Sequence, residues 1–338
     1  MFKRWLTTLL FTSTVLFAPA MTYADNSQTI SFQDWVERLK IQALRQGISQ
    51  DTVALSFLEI KQTNHSASFT PKTTKLFLDQ YLGMALSTQH LAYEKNLLNH
   101  YSNILFEISH LFGVEPEVLI AVWSLENLEK KDKKTFNAIE LMVSTTFNQP
   151  TNKQARDELF HALKLIDNKQ VNPNKFTSDE NGLLGSTFFK PSILRNYGID
   201  FDGDGLIDIW NNYADILAST ANYLSSIGWK AKLNWGMEIM LPEDLAIDTI
   251  DSNIQRTINY WHTQGVRLKD GKDLPLDGTL ASIIKPEPFS DKTLLVLDNY
   301  FALLRWKRSP AFALAVGLTI DKLQPAKADE PATPFLLR

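Results

Sequence analysis

Apolar residues recur every three or four positions over the first third of the chain, the spacing that lays one buried stripe along a helix. From Ser31 to about Leu111 everything reads as helix. Phe32, Trp35, Val36 and Leu39 open the series. Gly47-Ile48-Ser49 then supplies a stop and a new N-cap, and Val53, Leu55, Phe57 and Leu58 resume the apolar content. Thr70-Pro71 begins another helix, faced by Leu76, Phe77, Tyr81 and Leu82. One long segment from Leu91 to Leu111 follows, striped by Leu97, Leu98, Tyr101, Ile104, Leu105 and Ile108. Gly113 breaks it, and Pro116 stands where a proline suits a first helical turn. The next stretch, Val118 to Leu125, is apolar almost all round, which marks a helix buried on every side, and it ends in Glu126.

Further helices are expected from Ala155 to Ile166 and from Asp215 to Ile227, the second stopped by Gly228. Between Leu233 and about Pro288 short apolar runs alternate with Pro, Gly and Asp, so a small mixed subdomain with some strand is expected. Leu294 to Leu304 and Phe312 to Leu323 are densely apolar again, and beyond Gln324 three prolines without periodicity indicate a loose tail. The organisation read from this pattern is a signal segment (1–24), an N-terminal helical domain (25–105), a core (106–232), a small mixed subdomain (233–290), C-terminal helices (291–323) and the tail (324–338).

Composition narrows the class. With 44% hydrophobic and 21% charged residues the bulk is globular rather than disordered. Lys3 and Arg4 precede an apolar stretch from Leu6 to Phe17, and Thr22-Tyr23-Ala24 offers the small residues a signal peptidase inspects, so cleavage after Ala24 is expected. The alternative is a membrane anchor, for which the apolar run is short of the ~20 residues a span needs. There is no cysteine, which excludes lipid attachment at a mature N-terminal Cys, disulfides and thiolate metal sites. The expected product is soluble and periplasmic, or outside the cell. Loss of residues 1–24 removes two positive charges and no negative ones, taking the formal charge from −4 to −6. Such an acidic chain is a poor partner for nucleic acid.

Two segments carry candidate chemistry. A carboxyl at the end of an all-apolar helix is costly to ionise, which suits a general acid, so Glu126 is the first candidate. The open alternative is a helix emerging into solvent, with Glu126, Glu129 and Lys130 all exposed. The second segment is Asp200 to Asp208. Aspartates at positions 1, 3 and 5, glycine at 6 and an apolar residue at 8 match the start of an EF-hand loop, in which oxygens at alternate residues wrap a hard cation. Asp200, Asp202, Asp204 and the Leu206 carbonyl would be ligands; Asn211 stands where the usual closing Glu falls, leaving Asp208 or Asp215 to supply the last oxygen. The alternative is an Asp/Gly-rich surface turn. The six histidines show no metal-ligand spacing, and Trp210, Trp229, Trp235, Trp261 and Trp306 read either as sugar platforms or as core.

Taken together, these segments resemble the B-type lytic murein transglycosylases over roughly Phe32 to Leu323. Gly113-Val114-Glu115-Pro116-Glu117 through Leu125-Glu126 is similar to the family's Gly-Val-Pro-Pro-Glu, apolar helix and catalytic Glu. Tyr197-Gly198-Ile199 through Asp208-Ile209-Trp210 looks like its calcium loop, with Asp215 where the last carboxylate falls. Ala221-Asn222-Tyr223-Leu224, Gly228-Trp229 and Trp235-Gly236 continue the likeness. Arg305, Ser309 and Phe312 to Val316 resemble its C-terminal signature.

The resemblance implies a mainly α, α+β fold: a lysozyme-like helical core with an added helical domain and a small β-containing one. It implies calcium as structural cofactor, peptidoglycan glycan strands as partner, and non-hydrolytic cleavage between N-acetylmuramic acid and N-acetylglucosamine. One carboxyl, here Glu126, does both proton transfers, and the substrate's own acetamido group replaces a nucleophilic carboxylate. The sugar-facing residues differ from the family pattern. Asn127 to Lys130 replace a Ser/Thr-x-aromatic-Gly run, Ser186 and Phe188 replace two glutamines, and Trp306-Lys307 replaces Tyr-Asn. Ser186, Phe188, Trp306 and Lys307 are the substrate-binding candidates, and Lys190 and Lys307 are expected to bring positive charge near the groove. Two functions stay open: a murein-cleaving enzyme, and a peptidoglycan-binding or scaffolding homologue without turnover.

Overall fold

Serine hydroxyls start the N-terminal helices. Ser31, Ser49 and Ser87 accept hydrogen bonds from the N–H groups of Asp34 (3.1 Å), Thr52 (3.2 Å) and His90 (3.2 Å), satisfying donors that have no partner within a first turn. They open α1 (Phe32–Arg45), α2 (Gln50–Ser56) and, after α3 (Leu78–Ala85), α4 (Thr88–His100). The computed structural model describes residues 30–70, 78–128, 134–286 and 292–324. The signal segment, the helix start at Thr70-Pro71, Glu129 with the basic run after it, and the tail lie outside the described residues.

The single helix expected over Leu91 to Leu111 is two, α4 and α5 (Ser102–Phe112). The break falls at Tyr101, whose ring stacks on Tyr213 with centroids 4.7 Å apart. The apolar stripe runs on across the break, so periodicity carries no trace of it. Gly113, left-handed at φ 68°, then ends α5.

Helix α6 (Pro116–Asn127) is the axis of the fold. Every residue from Val118 to Glu126 is buried, enclosed by α4, α5, α10 (Tyr213–Ser226) and α13 (Pro310–Leu323). The two-residue strands β1 (Phe136–Asn137) and β2 (Thr177–Ser178) pair on either side of the hairpin of α7 (Ala138–Asn148) and α8 (Lys153–Asp167). Helices α1 and α2 pack on that hairpin, and α9 (Pro191–Tyr197) lies against α8. One apolar cluster runs from Val36 in α1 to Leu323 in α13. The boundary expected at 105/106 therefore falls inside α5 and does not separate two cores.

The small subdomain is a five-stranded antiparallel sheet: β3 (Gly236–Met240), β4 (Arg256–Thr257), β5 (Arg267–Leu268), β6 (Leu280–Ile284) and β7 (Thr293–Val296), in the order β4-β6-β7-β3-β5. It has its own cluster of Ile239, Val266, Ile283 and Leu295 around Trp261 of α11 (Ile258–Thr263). Residues 293–296, expected to begin the C-terminal helices, form the central strand. A short continuous apolar run reads equally as strand or buried helix, so the sequence pattern does not mark this boundary. Helix α12 (Asp298–Trp306) follows and returns the chain to the core. Among the described residues no helix is long and apolar enough to cross a membrane.

Two side chains lock the sheet to the helices. Buried Asn299 accepts from Lys230 N (2.8 Å) and donates to the carbonyls of Lys230 (2.9 Å) and Leu233 (2.6 Å), tying the α10–β3 connection to α12. Trp235, at the entry to β3, lies flat on Gly317 of α13 and donates its indole N–H to Asp321 Oδ1 at 3.1 Å. A Cβ on residue 317 would stand 2.3 Å from the indole ring. Gly317→Ala should therefore cost about 1–3 kcal/mol, the usual penalty of overpacking. Gly83→Ala, on an exposed face of α3 with no atom within 4 Å, should be neutral or stabilising by up to ~1 kcal/mol. Urea unfolding of both variants checks the contrast, and equal losses would mean that this contact does not hold the junction.

Candidate active site and cation loop

The acid sits where the buried helix ends. Glu126 is 5% exposed, and two donors from the far end of the chain reach its two oxygens. Trp306 Nε1 donates to Oε1 at 3.0 Å, and Lys307 Nζ to Oε2 at 3.1 Å. Of the two open readings of Glu126, emergence into solvent is thus the one the structure does not show. A buried carboxylate needs compensation of this kind, since an unpaired buried charge costs several kcal/mol. On the opposite face of the same helix, Ser124 donates to the fully buried Glu94 of α4 at 2.5 Å.

Trp306 and Lys307 are held by their chain neighbours. Arg305 Nε donates to the Ile227 carbonyl (2.6 Å), satisfying the end of α10. Ser309 caps α13 by accepting from Phe312 N at 3.2 Å. The three residues between these anchors are held at both ends, and Trp306 wedges against Phe189 (5.5 Å) and Tyr223 (5.3 Å). Burial, with Tyr197 adding to it, raises the Tyr223 phenol above its ordinary range. Lys307 also lies 4.8 Å from the centre of the Phe312 ring.

The other substrate candidates divide. Ser186 is a structural residue of the cleft wall: its N–H and hydroxyl both donate to the Ile209 carbonyl (2.9 and 3.1 Å), and its Oγ accepts from Trp123 Nε1 (3.3 Å). Asn127, one residue past Glu126, donates to the carbonyls of Trp123 (2.8 Å) and Ser186 (3.0 Å) and so ties the wall to α6. Gly185 permits this closeness, because a Cβ there would meet the Ile209 carbonyl oxygen at 2.5 Å. Phe188, half-buried at φ 55°, lines a cavity of ≈ 250 Å³ with Asn127, Lys134, Asp179, Ser186 and Trp210. Lys190 forms the N-cap of α9; the ammonium paired with Glu126 is that of Lys307. The sequence marks Asn127 only as a departure from the family pattern and Trp123 only as core, and their three-dimensional partners give them these roles. Among the tryptophans, Trp229, Trp235 and Trp261 are core, while Trp306 faces the acid.

The aspartate loop is built on its own backbone. Asp200, Asp202 and Asp204 bring carboxylate oxygens within 4.8 Å of one another. Asp200 accepts from Gly203 N (2.8 Å) and Gly205 N (2.9 Å), and Asp204 from Leu206 N (2.8 Å). Asp215, expected as a ligand, has a different place. It is fully buried, and its two oxygens accept from Phe201 N and Asp208 N, each at 2.8 Å, so it clamps the two arms of the loop.

This geometry places the chain among known proteins. The family described as transglycosylase SLT domain matches residues 31–321. The chain belongs to this family. Membrane-bound lytic murein transglycosylase B of Escherichia coli (strain K12) is 27% identical over 132 residues, which are 39% of this chain and 36% of that protein's length. The crystal structure of SltB3 from Pseudomonas aeruginosa in complex with NAG-NAM-pentapeptide is 30% identical, with TM-score 0.78 over 87% of this chain and 79% of that one. The Escherichia coli lytic transglycosylase Slt35 in complex with calcium shares the fold, with TM-score 0.64 at 18% identity over 88% of this chain and 93% of that one. The family's lysozyme-like helical core and small sheet are thus both present.

In this transglycosylase-family chain, burial raises the Asp215 carboxyl above its ordinary range against the pull of the Phe201 and Asp208 N–H groups, with Asp202 and Asp200 adding to the rise. A raised carboxyl favours the folded state below about pH 3.9, the unfolded value, and that contribution is lost as pH climbs through the folded value. Asp215→Ala would orphan both N–H groups, at about 1–3 kcal/mol for each donor left buried without water. Asp204→Ala, on the exposed rim, should cost under ~1 kcal/mol in the presence of chelator. Chemical denaturation of both variants decides it; equal stability of the two would remove the clamp from Asp215.

Proposed function

We propose that the chain is a lytic murein transglycosylase that cleaves the bond between N-acetylmuramic acid and N-acetylglucosamine in peptidoglycan and leaves 1,6-anhydro-muropeptides. The observation that carries the reading is Glu126: a buried carboxyl at the end of the fold's central helix, with donors on both oxygens. In its acid form Glu126 gives its proton to the glycosidic oxygen as the C1–O4 bond breaks, while the substrate's acetamido oxygen supports C1. The carboxylate then takes the proton of the muramyl 6-hydroxyl, whose oxygen closes on C1. Glu126 ends protonated, so the cycle balances without water. Trp306 fixes Oε1, so Oε2, which Lys307 holds at rest, is the oxygen that moves the proton once that ammonium is displaced.

One observation favours the second reading, a peptidoglycan-binding homologue without turnover: Lys307 holds Oε2 as an ion pair. Digestion of purified sacculi, followed by mass spectrometry for 1,6-anhydro ends, separates the two readings. Under the first, Glu126→Gln lowers turnover by at least ~10²–10⁴, the range for lost acid–base catalysis. No anhydro product from the parent protein establishes the second.

Calcium is the cation that the loop fits. The three aspartates converge, and Leu206 stands where an EF-hand loop offers its backbone carbonyl. The ion would tie Asp200, Asp202 and Asp204 together beside the Asp215 clamp. The mature protein, released after Ala24, works in the periplasm, where calcium is accessible. A ligand at a hundredfold excess over its Kd adds about 2.7 kcal/mol to stability. Millimolar calcium should raise the Tm. Asp202→Ala with Asp204→Ala should abolish the shift. Identical melting curves in calcium and chelator would exclude the site.

A further inference from the structure

Lys307 is a cation that this proton-transfer scheme does not use, and it stands where the scheme operates. Its ammonium is 3.1 Å from Glu126 Oε2, the two side chains being 14% and 4% exposed. Trp306 covers the other oxygen at 3.0 Å. While this ion pair holds, Oε2 is committed to the ammonium rather than to a leaving group's oxygen. A mostly buried ammonium does not give up a carboxylate for nothing, because an uncompensated charge in such a place is costly. It exchanges one anion for another. A lysine suits such an exchange, as a compact charge on a flexible four-carbon arm, and here the arm is rooted in the extended backbone between α12 and α13.

The muramyl sugar has an anion to offer. Its 3-O-lactyl group ends in a carboxyl, on the same ring whose C1 is cleaved. With a peptide stem attached that carboxyl is an amide and uncharged; with the stem removed it is a free carboxylate. We propose that Lys307 is a specificity-determining residue that binds the free lactyl carboxylate of peptide-stripped glycan, and that this exchange frees Glu126 Oε2 to take up from water the proton that it then gives to the glycosidic oxygen. The inference rests on the reading that the chain acts on N-acetylmuramyl glycan. It places the reaction after an amide hydrolysis that splits the stem from the lactyl group. Stem peptides also carry carboxylates, but away from the ring, and the two sources separate experimentally.

Three ligands make the test: glycan strands stripped by an amidase, the same strands with stems, and chito-oligosaccharides, which lack the lactyl group. Calorimetry gives Kd for all three, and release of 1,6-anhydro ends gives kcat/KM for the first two. The parent should prefer stripped strands by about tenfold or more, the worth of one charge-assisted hydrogen bond. Lys307→Asn should bring the ratio near one, chiefly through the stripped strands, while Lys307→Arg, which keeps the charge, should retain a preference. Unfolding curves establish that both variants are folded. A parent that binds stemmed strands as well or better, or a ratio unmoved by Lys307→Asn, overturns the inference. If strands bind and none is cleaved, the transglycosylase reading fails while the Kd ratios still decide the role of Lys307.

Discussion

The structure turns on one constraint: a helix buried on all sides ends in a carboxylate. Once α6 is enclosed by α4, α5, α10 and α13, Glu126 cannot be left to water, and the rest of the chain has to bring it donors. They arrive from 180 residues downstream as an indole and an ammonium. Their placement depends on contacts that are not themselves chemical. Arg305 on the end of α10 and Ser309 at the start of α13 fix the short span that presents them. The sheet is joined to this frame by Asn299 and by Trp235 on Gly317. Packing at the junction and the donors on the Glu126 carboxyl therefore share one scaffold.

The aspartate loop belongs to the same frame. Asp215 sits in the first turn of α10, the helix whose other end Arg305 closes, and it grips the loop at Phe201 and Asp208. The next residue, Ile209, offers its carbonyl to both donors of Ser186. The cleft wall thus hangs from the loop's exit, and Asn127 fastens that wall back to α6. The loop and Ser186 are thus joined through one backbone carbonyl.

Much of the site was legible in the chain because it is local. The all-apolar run from Val118 to Leu125 announced a helix with no exposed face, and the alternating aspartates with glycine at 203 and 205 announced the turn, since each is written into consecutive residues. The same locality explains the errors. An unbroken apolar stripe concealed the bend at Tyr101, where the partner ring, Tyr213, is over a hundred residues away. Thr293 to Val296 have no period to distinguish strand from helix, and their place between β3 and β6 is decided by pairing partners.

By itself the sequence determined most of the elements, the buried helix that ends at Glu126 and the aspartate spacing of the loop, because periodicity, capping and ligand spacing act within a few residues of themselves. The tertiary structure alone decided what surrounds those groups. It turned Ser186 and Asn127 into a wall, set Asp215 as a clamp, and put Lys307, rather than Lys190, on Glu126. The physical reason is that a buried charge is answered by whatever donor the packing delivers, and packing joins residues without regard to their distance along the chain.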